Sequence, residues 1–108
     1  MILYNVTVSI DESVHDEWLG WMLNTHIPEV MATGLFLENR VCKIHAYEEG
    51  GKSYSIQYLA PDMESYDLYQ QEHAPALQAS HNDKYAGKFA AFRTVLEVIQ
   101  QTRNEEVK

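Results

Sequence analysis

Five histidines, His15, His26, His45, His73 and His81, are the side chains best suited to proton chemistry near neutral pH. Their successive spacings are 11, 19, 28 and 8 residues. Metal-binding histidine pairs on a helix stand three or four apart, so this series predicts no metal site. His26, in Thr25-His26-Ile27-Pro28, falls between two helical pieces. Backbone groups go unpaired at such junctions, so the plain reading is a cap and the sharper one a pocket-lining acid or base. His81, in Ala79-Ser80-His81-Asn82-Asp83, closes the second helical region, where a helix dipole favours a histidine. The alternative places it in a space between helices and sheet.

Arg93 stands inside an otherwise apolar strand and needs a carboxylate or a solvated cavity. Glu97 shares its face, but roughly 13 Å of strand separates the two Cα atoms, so a partner from another strand or subunit is expected. The plain reading is a structural ion pair; the sharper one is an anchor for a ligand carboxylate. Tyr54, Tyr58, Tyr66 and Tyr69 cluster in the third strand and second helix, where aromatic rings with polar tips suit a core or a ligand pocket. No glycine-rich phosphate loop, nucleophile elbow or Walker lysine is present, and no serine sits in a triad context.

The elements that must position these residues follow from periodicity. Ile2–Ile10 alternates, with Ile2, Tyr4, Val6, Val8 and Ile10 on one side, and reads as a strand. Asp11-Glu12-Ser13 supplies N-cap candidates, with Ser13 and Asp16 in a capping-box pattern, and Val14, Trp18, Trp21 and Met22 recur at helical spacing. Asn24-Thr25 weakens that helix, and Pro28 begins a short second piece, Glu29–Thr33, that Gly34 stops. Leu35–Tyr47 and Lys52–Ala60 are expected as strands joined by a Glu48-Glu49-Gly50-Gly51 turn. Asp62 caps a helix to about Glu72, with Met63, Tyr66, Leu68 and Tyr69 inward. Pro75 starts a further turn through His81, and loops surround Lys84–Lys88. Phe89–Gln100 is the last strand.

Strand, helix, strand, strand, helix, strand is the ferredoxin-like βαββαβ order, an α+β fold with a four-stranded antiparallel sheet and its helices on one face. The other face, with Leu3, Asn5, Thr7, Ser53, Ser55, Gln57 and Leu59 plus Arg93 and Glu97 or their alternates, must be wet or covered by a partner. A homodimer is therefore expected, with the far end of the last strand reaching across. One domain is expected over residues 1–101, with a flexible tail at 102–108.

The net charge of −8, from sixteen acidic and eight basic residues, disfavours nucleic acid and anionic membrane surfaces. Cys42 is the sole cysteine, which excludes an intrachain disulfide, and it reads as a small buried hydrophobe. No signal peptide or membrane span is recognised, so a cytoplasmic location is expected.

Tyr4-Asn5-Val6-Thr7-Val8, Trp18, the run His26–Gly34, Tyr54–Tyr58, Ala74-Pro75, His81 and Phe89–Thr94 resemble a family of small bacterial proteins catalogued as a domain of unknown function. The resemblance extends to about residue 100 and implies a ferredoxin-like domain of the dimeric α/β-barrel type. At fold level the chain is also similar to antibiotic-biosynthesis monooxygenases, a group that includes haem-degrading enzymes. Those carry an asparagine on the first strand and an axial histidine late in the second helix, positions that Asn5 and His81 match. The tryptophan of that helix has no counterpart; Tyr66 or Tyr69 stands in the region instead.

The candidate pocket is thus Asn5, His26, Tyr58, His81 and Arg93. The leading expectation is a dimeric ligand-binding or interaction module with a small-molecule ligand and no cofactor. The rival is a monooxygenase-like or haem-binding enzyme with its pocket between helices and sheet. There His26 and His81 would serve as acid–base or axial groups and Arg93 as an anion anchor.

Overall fold

A computed structural model describes residues 1–46 and 49–105. Strand β1 (Ile2–Asp11) leads through a 3-10 turn into helix α1 (His15–Trp21), a π-helical turn (Met22–His26) and helix α2 (Ile27–Met31). Strands β2 (Glu38–Lys43) and β3 (Gly51–Ala60) follow, then helices α3 (Met63–Glu72) and α4 (Ala74–Tyr85) and strand β4 (Phe89–Glu97). The sheet is antiparallel in the order β2-β3-β1-β4, the ferredoxin-like arrangement.

Register assigns the two faces. Tyr4 lies opposite Tyr58 and Val95, and Val6 opposite Ile56 and Arg93. Even-numbered residues of β1 and β3, with odd-numbered residues of β4, therefore face the helices. Ile2, Tyr4, Val8, Ile10, Ile56 and Tyr58 are buried there beneath Trp18, Met22 and Val30. Arg93 belongs to this face, so β4 gives the open face its alternates, Phe92, Thr94 and Leu96.

Several expected boundaries move. Leu35 and Phe36 precede β2 as irregular chain, because Phe36 is drawn out of line to pack its ring against Tyr4 and Tyr69. Strand β2 also ends early, at Lys43, with Ile44, His45 and Ala46 carrying no regular structure; Tyr47, and Glu48 of the turn, lie outside the described residues. In the remainder of the turn Gly50 has φ +79°. At Gly51 an added Cβ would come within 2.9 Å of the Ile10 carbonyl oxygen, so close strand approach excludes a side chain. Strand β4 ends at Glu97 rather than Gln100, and 101–104 carries no regular structure; Glu106, Val107 and Lys108 are outside the described residues.

The helices also differ from expectation. Of the N-cap candidates Asp11, Glu12 and Ser13, Asp11 makes the first cap by accepting the Ser13 backbone N–H at 2.8 Å; Asp62 caps α3 as the pattern predicts. Met63 and Leu68 are exposed, leaving Tyr69 as the buried anchor of α3. Asn24-Thr25 does not break the first helical region. Pro28 has no N–H and its ring would crowd the Asn24 carbonyl, so the chain opens one turn before it, and Ile27 N–H donates to Met22 O five residues back. Helix α4 continues through Tyr85 where a loop is expected, because burial of His81 and Tyr85 outweighs the weak helix preference of Asn82-Asp83.

Candidate functional site

A cavity lies between the helices and the sheet, with water-sized space of about 40 Å³, room for roughly three waters. His26, Tyr58, His81 and Arg93 all line it. Asn5 does not: the β1 register puts it on the opposite face, where its amide accepts from Ser55 Oγ and donates to Thr7 Oγ1. Cys42 is on that face too, half-buried rather than enclosed.

His81 forms the inner wall. It is 8% exposed, and its Nε2 accepts the indole N–H of Trp18 at 2.9 Å. Indole nitrogen only donates, so Nε2 must be unprotonated and the neutral ring carries its proton on Nδ1. Burial first, then the nearby His26 and Arg93 charges, lower His81 to about 4, which keeps it neutral near pH 7. Four helical residues follow it, so it is not a helix-end histidine.

His26 reaches the cavity because of the π-helical turn. Its side chain makes no cap bond; the ring instead stacks on Trp21 at 4.9 Å and stands 5.9 Å from His81. Burial lowers its pKa, and Glu29 partly opposes that. Phe89 meets His81 edge-on at 4.4 Å and closes the inner end.

Arg93 is exposed at the mouth, and its Nε donates to Tyr4 Oη at 3.1 Å. Among the described residues no carboxylate pairs with it, Glu97 included. Its charge therefore meets solvent and the cavity rather than a structural ion-pair partner. Tyr58 and Tyr69 complete the sheet-side and helix-side walls, and burial raises both phenols above their ordinary range. The site is thus a slot with aromatic walls, a neutral histidine pair inside and a cation at its mouth. It can bind and orient a small anion and exchange a proton at His26 or His81. Among the described residues no group of three His, Cys, Asp or Glu side chains could hold a metal ion, and no helix is long and apolar enough to cross a membrane.

Two contributors escape sequence reasoning. Trp18 reads only as part of an apolar stripe, although it fixes the His81 tautomer from 63 residues away. Tyr4 reads only as core, although its hydroxyl is the Arg93 partner. The Tyr4–Arg93 contact follows from the strand-four register, which sets Arg93 opposite Val6 and has no local signal in the sequence.

The family model described as "Domain of unknown function (DUF4286)" matches residues 1–99. The chain belongs to this family. No curated protein matches the DUF4286 chain in sequence. Among solved structures it is similar to a dimeric ferredoxin-like protein from an uncultured marine organism, with a TM-score of 0.68, 11% identity, and coverage of 96% of this chain and 100% of that one. It is similar to SnoaB, a cofactor-independent oxygenase from Streptomyces nogalater, with a TM-score of 0.67, 9% identity, and coverage of 95% and 98%. It is also similar to a MhuD variant with two manganese protoporphyrin IX bound per active site, with a TM-score of 0.69, 14% identity, and coverage of 96% and 100%. At these identities the likeness establishes the ferredoxin-like fold of the DUF4286 chain.

A haem does not fit the residues present. The cavity is far smaller than a porphyrin. Nε2 of His81, the nitrogen an iron would take, is already engaged by Trp18.

Proposed function

We propose that the chain is a ligand-binding module that works as a homodimer, and that its cavity takes a small planar anion, a carboxylate or enolate on an unsaturated body. The observation that carries this is Arg93, a cation without a carboxylate partner among the described residues, at the mouth of an aromatic-walled slot. A planar guanidinium recognises such anions with two parallel hydrogen bonds. The neutral histidines inside add no competing anion or cation and leave a flat apolar surface for the ligand body.

Association is supported by β4, an edge strand exposed on both faces. Phe92 is 64% exposed and Leu96 45% on the open face, and Val95 is 41% exposed on the other. Apolar side chains grouped on an edge strand favour covering by a second chain, and similar solved proteins are described as dimeric. A single domain over 1–101 and a cytoplasmic location belong to the same reading.

Native mass spectrometry of gently purified protein tests it. A dimer with a reproducible small added mass, lost in Arg93→Gln, is the expected result. A bare monomer at micromolar concentration would overturn both parts. The second reading, a cofactor-independent oxygenase acting on the same guest, draws on the His26–His81 pair 5.9 Å apart. Dioxygen consumption in the presence of the recovered ligand, abolished in His81→Leu, would favour it.

A further inference from the structure

A second side-chain cluster lies away from the cavity. His15 Nδ1 is 2.9 Å from Asp16 Oδ1, and His15 Nε2 is 2.6 Å from Tyr54 Oη. The His15 and Tyr54 rings stack at 5.6 Å. A carboxylate only accepts, so Nδ1 carries a proton, and in the neutral ring Nε2 is an acceptor for the Tyr54 O–H. His15 and Tyr54 are 8% and 6% exposed. Tyr54 is not among the residues lining the cavity described above. A guest in that cavity therefore does not touch the Tyr54 oxygen. Electron transfer needs no contact.

A route for an electron is present. The Trp18 ring lies 5.4 Å from the Tyr54 ring, and the Trp18 N–H donates to His81 on the cavity wall at 2.9 Å. Tyr4, which does line the cavity, is unsuited to lose a proton in this way, because its hydroxyl faces the Arg93 guanidinium, which accepts none.

We propose that Tyr54 is a redox-active tyrosine, with His15 as its proton acceptor and Trp18 as its relay, that reduces a one-electron-oxidised aromatic guest in the cavity. The guest, a phenoxyl-class radical, rests on the ligand reading above; the redox couple does not. The guest radical takes one electron from Trp18, and Trp18 is refilled by one electron from Tyr54. The Tyr54 O–H bond breaks as that electron leaves, and its proton forms a bond to His15 Nε2. The products are the guest anion, a neutral Tyr54 phenoxyl radical and a His15 imidazolium held by the Asp16 carboxylate. One electron and one proton have left Tyr54, and both are placed.

The test uses the full chain and a photogenerated ruthenium(III) tris-bipyridine oxidant in solution, with transient absorption and freeze-quench electron paramagnetic resonance as readouts. Wild type is expected to form a neutral tyrosyl radical, and its yield is expected to fall at least several-fold in Tyr54→Phe. His15→Gln keeps a side-chain acceptor for the phenol but takes up no proton, so radical formation slows and its dependence on pH is lost. An unchanged yield in Tyr54→Phe overturns the proposal. If that variant does not fold, an unchanged rate in His15→Gln overturns it instead. Because the oxidant is in solution, failure here leaves the Arg93 ligand reading standing, and failure of that reading leaves this result intact.

Discussion

The two faces of the sheet are written in alternate residues of the same strands, yet they are built on opposite rules. On the helix-covered face, large rings interlock: Tyr4 alone makes ring contacts with Phe36, Tyr58, Tyr66 and Tyr69. Polar atoms there are few, and several are tied to one particular partner, as in Trp18 to His81 and His15 to Tyr54, while the Tyr85 hydroxyl is buried without one. On the open face, short polar side chains form a lattice. Ser9 and Ser53 hydroxyls lie 2.6 Å apart, and Gln57, Ser55, Asn5 and Thr7 are linked in series. The first face gains its stability by excluding water; the second keeps its hydrogen bonds satisfied whether water or another chain covers it. A fold can therefore offer a fixed site on one side and an adaptable surface on the other without any change of backbone.

The largest test of this contrast is Trp18→Ala. Trp18 is fully buried, so truncation costs about 3–5 kcal/mol, read from the urea midpoint. A loss below about 1 kcal/mol would show that the ring core is not close-packed.

Next is His81→Leu, which leaves the Trp18 N–H without its acceptor and costs about 1–3 kcal/mol at neutral pH. The wild-type pH dependence follows from the same residue. Its pKa is lowered from 6.5 to about 4 in the folded protein, so between those values the unfolded chain binds a proton that the native one refuses. Stability is full above about 6.5, falls as the pH drops toward 4, and levels off below that. Urea midpoints between pH 7 and 4.5 should show a shallower fall in His81→Leu. An equal fall in both proteins would assign the effect to other groups.

Smallest is Asn5→Ala on the open face. Its neighbours can turn to water, so the cost to the monomer is about 0.5–1.5 kcal/mol by the same denaturation. A cost as large as that of Trp18→Ala would erase the distinction between the faces.

Much of the fold is legible in local pattern, because alternation in β1 and the paired glycines where β3 begins are signals a few residues long. The helix-side orientation of Tyr4 and Val8 follows directly from that alternation. Arg93 is different: local pattern places it on one of two faces, and only its pairing with Val6 chooses. His81 is misread as a helix end because Asn82-Asp83 and Gly87 carry turn signals, whereas burial of Tyr85 keeps the helix going. Four of the five expected site residues line the cavity, since a histidine or arginine inside an apolar pattern is conspicuous. Asn5 came from likeness to another group rather than from this chain's own strand parity, which places it on the other face. The partners that set the chemistry, Trp18 for His81 and Tyr54 for His15, are 63 and 39 residues distant and leave no local trace.

The π-helical turn before Pro28 has a bearing on how this segment can change over generations. Leu23, Asn24 and Thr25 are exposed and can be exchanged with little effect on packing. Their number is another matter. The turn holds one more residue than an α-helical turn would, and that surplus sets the angle at which His26 meets the cavity. Deleting any one of the three would swing His26 by about 100° around the helix axis and return the Pro28 ring to its clash. In this stretch, spelling is free and length is not.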